Sequence, residues 1–311
     1  MTEQPILITG GAGFIGSHLV DVLLAKGKRV RVLDDFSTGK RDNLPADNAW
    51  LEIIQGDVAD TDTVYQAMTG CCAVVHLAAV ASVQASVDNP VSTHQSNFIG
   101  TLNVCEAMRK HHVRRVVFAS SAAVYGPNGE GQAIAEETPK APLTPYAADK
   151  LAGEYYFDFY RREHALEPVV FRFFNIYGPR QDPSSPYSGV ISIFTDRARQ
   201  GEPITVYGDG EQTRDFVYVG DLVELIVQGL ERAEPVVGPV NVGHGQVISL
   251  NQLLQEVGDL VGGLPKITHA ATRAGDIRHS KADNSRLKAY FTFNRVTSMR
   301  EGLSLLLKTD S

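Results

Sequence analysis

The sequence is poor in several features that would each point to a function. Its 311 residues include three cysteines, one tryptophan and four methionines. Cys71 and Cys72 are adjacent, and Cys105 stands alone. An odd count at these spacings makes neither a disulfide framework nor a metal knuckle. The thiols read as reduced, core-filling groups, and no metal is expected. No apolar run approaches the roughly 18 residues of a membrane span. Positive charge is not in excess: 29 Lys+Arg stand against 36 Asp+Glu, a net charge of −7. Without a basic stripe, nucleic acid is not an expected partner. The opening Met1-Thr2-Glu3-Gln4-Pro5 lacks the basic stretch of a signal peptide. A cytosolic protein with no membrane partner is expected.

What remains is an ordinary globular composition, 43% hydrophobic, long enough for two domains or one large one. Apolar runs at Ile6-Leu7-Ile8, Val30–Leu33, Trp50–Ile54, Ala73–Leu77, Arg115–Ala119 and Pro168–Phe173 read as strands. Helical patterns separate several of them, at Phe14–Ala25, about Pro90–Lys110 and about Pro145–Glu163. Strand and helix in repeated order predict an α/β fold, a doubly wound parallel sheet covered on both faces. After Asn175 the rhythm breaks. Helices are expected at about Val190–Gln200, Asp221–Arg232, Ser249–Gly262 and Ser298–Leu307, with Ser249 as an N-cap. We read residues 1–174, with a return at about 210–245, as a Rossmann-type domain. Residues 175–209 and 246–311 read as a smaller mixed α/β substrate domain.

Gly10, Gly13 and Gly16 follow a G-x-x-G-x-x-G spacing between the first strand and the first helix. Small residues there let the backbone approach a pyrophosphate, and the helix start offers it N–H groups. Asp34 ends the second strand 18 residues after Gly16. A carboxylate there suits the adenosine ribose hydroxyls and repels the extra phosphate of NADP, so NAD is the expected cofactor. Asp57 is an adenine-edge contact or a turn residue. Tyr146 and Lys150 lie four apart on one helix, and so share a face. A free phenol titrates at about 10. A neighbouring ammonium and a cationic nicotinamide ring would favour the phenolate. Ser120-Ser121 close the fifth strand, where open α/β sheets bind ligands. Asn97 bridges its helix to the next strand, or is a capping or core amide.

Together with His76-Leu77-Ala78-Ala79, these residues resemble the extended short-chain dehydrogenase/reductase family. Arg172-Phe173-Phe174-Asn175, Gly208-Asp209-Gly210, Arg214-Asp215-Phe216 and Arg273-Ala274-Gly275-Asp276 resemble its nucleotide-sugar branch, above all the UDP-hexose 4-epimerases. The resemblance implies NAD in the larger domain and a UDP-sugar between the domains. It makes Ser121, Tyr146 and Lys150 the catalytic set. Phe14, Ile15, Asp35, Val58, Leu77, Ala78, Ala79 and Asn97 join the cofactor side. Ser82, Asn175, Val190, Tyr207, Arg214, Arg273, Asp276 and Ser280 form the substrate side. Tyr146 as phenolate would take the 4-OH proton while C4 gives hydride to NAD. The 4-keto sugar would then turn over and receive the hydride on its other face. Ala122-Ala123 stand where the 4,6-dehydratases usually carry an acidic pair.

Ser280 stands where glucose/galactose-restricted epimerases carry a bulky tyrosine. Ala81 stands where they carry lysine. Both departures resemble the bacterial UDP-N-acetylglucosamine 4-epimerases, although Ala85 stands where that group can carry arginine. The expected reaction is interconversion of UDP-GlcNAc and UDP-GalNAc. Alternatives are epimerisation of UDP-glucose and UDP-galactose, 4-epimerisation or decarboxylation of UDP-glucuronate, and a non-catalytic NAD-binding role. The resemblance also implies a homodimer paired through the helices at about 90–110 and 145–163.

Overall fold

In the computed structural model, residues 4–128, 131–183, 189–272 and 277–309 are described. The strands are β1 (Ile6–Thr9), β2 (Val30–Asp34), β3 (Leu51–Gln55), β4 (Ala73–His76), β5 (Arg115–Ser121), β6 (Ala133–Ile134), β7 (Glu167–Phe173), β8 (Asn175–Tyr177), β9 (Ile204–Tyr207), β10 (Thr213–Arg214), β11 (Phe216–Tyr218), β12 (Val240–Val242), β13 (Ile248–Ser249), β14 (Ile267–Ala270) and β15 (His279–Ala282). The helices are α1 (Phe14–Ala25), α2 (Thr61–Met68), α3 (Val83–Asp88), α4 (Pro90–His94), α5 (Gly100–His111), α6 (Pro145–His164), α7 (Val190–Gln200), α8 (Val219–Glu231), α9 (Leu250–Val261), α10 (Ser285–Tyr290) and α11 (Met299–Thr309).

The main sheet is parallel and has seven strands in the order β12-β7-β5-β4-β1-β2-β3. Its centre is fully buried: every residue of β1 and of β4 is inaccessible or nearly so. That is why these strands read as unbroken apolar runs. β1 pairs with β2 on one side, Ile6 opposite Val30, and with β4 on the other, Ile6 opposite Ala73. The chain therefore winds outward from β1 to β3 and then restarts at β4. The gap between the C-terminal ends of β1 and β4 is the switch point at which open α/β sheets bind ligands.

The expected helix at 90–110 is α4 and α5 joined by a π-helical turn over Gln95–Ile99. Such turns occur mostly as single interruptions at functional places. α6 begins as its sequence directs. Thr144 caps it by accepting from Ala147 N, and Pro145 occupies the first turn. α9 carries a full capping box, Ser249 with Gln252.

The chain divides into two compact units, 1–124 with 142–172 and 223–240, and 125–141 with 173–222 and 241–311. The return to the first unit is thus shorter than the expected 210–245. Strand pairing explains this. β10 pairs with β13 and β15, and β11 with β8, which keeps residues 213–218 in the second unit. β6 pairs with β15 and draws 125–141 there too. Each unit has its own core. In the first, Leu7, Val74, Val116, Phe118 and Phe157 meet. In the second, Tyr177, Phe194, Val206, Leu253 and Leu303 do. Neither the short strands of the second unit nor β12 has enough periodicity to be read from sequence.

One buried ion pair ties α6 to the first sheet. Arg172 on β7 donates to both oxygens of Glu154 on α6, at 2.8 and 2.6 Å. Ser120 on β5 donates to the same carboxylate. Arg172 is 2% exposed, so its charge depends on this partner. Glu154→Ala is expected to lower the unfolding free energy by about 3–5 kcal/mol. Glu154→Leu combined with Arg172→Met should lose much less. Urea denaturation followed by circular dichroism checks both.

Candidate cofactor and catalytic site

The glycine-rich turn lies between β1 and α1. Gly10 sits at φ +71°, and a Cβ there would stand 2.8 Å from Ala78 N. A Cβ on Gly16 would stand 2.2 Å from Gly10 O. Both positions therefore admit no side chain. At Gly13 the nearest atom would be Gly10 O at 3.3 Å, so the protein itself presses less on that position. Gly13 is the N-cap of α1 and makes no side-chain capping bond. The first-turn N–H groups, those of Phe14 and Ile15 among them, are left for an anion. This cradle fits the pyrophosphate of NAD.

Asp34, at the end of β2, is buried rather than solvated. Its carboxylate accepts from Ala12 N at 2.8 Å and Phe36 N at 2.9 Å. Burial raises its pKa, and the two backbone bonds pull it back. Asp34 thus braces the glycine-rich turn. Asp35 is exposed and accepts from Ser37. Asp57 is exposed and accepts from Ala59 N at 2.8 Å.

Leu77, Ala78 and Ala79 follow β4 and are half-buried at the switch point. Asn97 is 1% exposed. It accepts from Val80 N at 2.7 Å and donates to Val80 O at 3.2 Å. Its amide is therefore engaged by the loop after β4, and not by the next strand that one of its two readings named. Val58 packs in the first core and faces Gly100 of α5. Ser82 caps α3 by accepting from Ala85 N at 3.0 Å.

The catalytic candidates converge in the first unit. Ser121 ends β5, and its side chain accepts from Ala123 N at 3.2 Å, near Tyr146 on α6. Lys150 Nζ lies 6.0 Å from the centre of the Tyr146 ring and 5.1 Å from that of Phe118. Burial raises the Tyr146 pKa, and the nearby Ser121 hydroxyl opposes that rise. Burial also pushes Lys150 down, to about 8. The sequence alone suggests that the ammonium favours the phenolate. Within the protein alone, burial works against both charged forms.

In the second unit, Arg214 and Ser280 are paired residues on the parallel strands β10 and β15. Arg214 donates to Thr213 O at 2.9 Å and Arg278 O at 3.3 Å. Asn175 donates to Asp215 O through both its backbone and its side chain. Tyr207 ends β9 and is 36% exposed. Val190 opens α7 and packs against the second core. Arg273 and Asp276 lie outside the described residues. Sequence reasoning passed over Gln212. It is 7% exposed, donates to Tyr207 O at 2.7 Å, and keeps its Oε1 buried without a partner. Only its place between Gly210 and Arg214 marked it.

Lys150 generates a test. The unfolded chain holds its proton up to about pH 10.5, and the folded chain only to about 8. Below pH 8 the buried charge destabilises the protein, and between these values the penalty fades. Without added nucleotide, Lys150→Met is expected to be more stable than the parent at pH 7, by up to about 3 kcal/mol. The gain should disappear by about pH 10.5. Denaturation series across pH check this.

Residues 6–243 match the model of the NAD dependent epimerase/dehydratase family. The chain is 38% identical over 309 residues to the UDP-glucose 4-epimerase of Mycolicibacterium smegmatis, covering 96% of each. It superposes with TM-score 0.93 and 35% identity on the UDP-N-acetylglucosamine 4-epimerase from Methanobrevibacter ruminantium M1 in complex with UDP-N-acetylmuramic acid, covering 99% and 98% of the two chains. With TM-score 0.89 and 39% identity it also matches the UDP-glucose 4-epimerase of Thermus thermophilus in complex with NAD, over 98% of each chain. The glycine cradle, the buried Asp34 and the Ser121–Tyr146–Lys150 cluster all agree with that match, and the chain belongs to the NAD dependent epimerase/dehydratase family.

Proposed function

We propose that this chain is a UDP-sugar 4-epimerase that interconverts UDP-GlcNAc and UDP-GalNAc. One observation carries the choice of sugar. The residue beside Arg214 across the β10–β15 pair is a serine, half-buried and small. A small side chain at 280 leaves room for a 2-acetamido group, which a tyrosine would exclude. The kinship with a structure named as a UDP-N-acetylglucosamine 4-epimerase supports this reading.

Tyr146 takes the proton of the sugar 4-OH and later returns it. Ser121, placed close to Tyr146, holds the same oxygen and keeps the proton path short. Lys150 binds the nicotinamide ribose and adds positive potential beside the phenol. When bound, NAD accepts and returns the C4 hydride, and its oxidised ring adds the positive charge that Tyr146 needs. Arg214 and Arg273 hold the diphosphate through charged, fork-shaped hydrogen bonds. Asn175 supports the phosphate side, Tyr207 stacks near the uracil, and Asp276 binds the uridine ribose. Positioning dominates, because C4 must face the ring in both poses.

A homodimer is part of the proposal. Val87, Val91, Tyr155, Tyr156 and Phe159 are exposed on α3, α4 and α6, and a two-fold pairing would cover them. The second reading is epimerisation of UDP-glucose and UDP-galactose, favoured by the names of two of the relatives.

Proton NMR of C4 inversion, with each sugar separately, tests both readings. Fast inversion of UDP-GlcNAc with little on UDP-glucose is expected. Inversion of UDP-glucose alone would favour the second reading, and reaction of neither would favour glucuronate chemistry or a non-catalytic role. Tyr146→Phe should lower turnover by at least about a hundredfold. Ser280→Tyr should cost the acetamido sugar about tenfold more in kcat/KM than it costs UDP-glucose.

A further inference from the structure

Three side chains, Thr9, His76 and Thr101, form a hydrogen-bonded line below the switch point that ends on the main-chain oxygen of Asn97. The Thr101 hydroxyl donates to Asn97 O at 2.6 Å. Having spent its only proton there, its oxygen must accept from His76 Nε2, 3.0 Å away. His76 therefore carries hydrogen on Nε2. The imidazole is 1% exposed and lies near the Lys150 ammonium, and these two effects push its pKa down to about 3. A neutral ring protonated on Nε2 leaves Nδ1 bare. Nδ1 then accepts from the Thr9 hydroxyl at 2.7 Å, and Thr9 Oγ1 in turn accepts from Ala78 N at 3.3 Å. Donors and acceptors match at every step. The opposite tautomer would require Thr101 to turn its proton from Asn97 O to His76 Nε2, leaving the 2.6 Å contact with Asn97 O without a hydrogen.

Both ends of this line hold the same loop. One end is Thr9, which holds Ala78. The other is Asn97, which holds Val80 through both atoms of its amide. The loop in turn lies against Gly10, so close that a Cβ there would clash with Ala78 N. His76 also stacks on Phe118 at 5.7 Å, which fixes the plane of its ring. The glycine-rich turn, the loop and the π-helical turn bearing Asn97 are thus set by one central ring.

We propose that His76 is a positioning residue for the cofactor, a neutral imidazole protonated on Nε2 alone that fixes the Leu77–Val80 loop against the glycine-rich turn. The proposal concerns NAD and does not depend on which sugar is turned over.

Two measurements test it. Long-range proton–nitrogen NMR of the full chain, labelled in histidine, reports the tautomer at neutral pH, with His76→Gln assigning the signal. A neutral Nε2–H ring is expected with and without NAD. An Nδ1–H ring or an imidazolium would overturn the proposal, and this result needs no destabilising variant. The second measurement is calorimetric NAD affinity of protein freed of nucleotide. His76→Leu breaks the line on both sides and should raise the Kd about tenfold. His76→Gln keeps a donor toward Thr101 and should recover part of that loss. Thr101→Val, of nearly equal volume, should also weaken NAD. At saturating NAD, the KM for sugar should stay within about twofold of the parent. A lower melting temperature with unchanged NAD affinity would mean that His76 only fills the core, and would overturn the proposal.

Discussion

The close approach of two backbone segments, Gly10 after β1 and Ala78 after β4, is the constraint on which the rest of the first unit depends. No side chain fits between them. Much of the surrounding polar structure serves to hold that approach. Asp34 braces one segment through Ala12, and Asn97 braces the other through Val80. These are buried groups, so each bond left unmade would cost the full desolvation of its partner. The polar residues packed under the site therefore act as structure first. Their chemistry is that of holding shape in a place where apolar packing is interrupted to make room for a ligand.

The same division of labour appears around α6. Tyr146, Lys150 and Glu154 follow one another at four-residue spacing on its buried face. The first two lie together, with Lys150 Nζ over the Tyr146 and Phe118 rings. The third is anchored to Ser120 and Arg172. Adjacent serines on one strand thus meet the same helix in different ways, Ser120 to hold it and Ser121 to meet the phenol.

What was legible in the sequence follows the strength of its patterns. The glycine spacing, β1, α1, α6 and α9 have long periods or strong caps, and residues alone place them. The spacing of Tyr146 and Lys150 shows that they share a face. It does not show the burial that opposes charge on both groups when the protein is considered alone. Arg172 reads as part of a nucleotide-sugar motif, yet its side chain turns inward to Glu154. The two-residue strands of the second unit are set by pairing partners far along the chain, which no local window contains.

The pairing of β10 with β15 has a consequence for how such a protein diversifies. Residues 214 and 280 are neighbours through main-chain register, and side-chain size plays no part in that adjacency. A lineage can therefore resize residue 280 by a single codon change while the backbone carrying the neighbouring guanidinium stays where it is. On the proposed roles of these two residues, anchoring and discrimination are separately heritable on this scaffold, and one can change while the other is inherited unchanged.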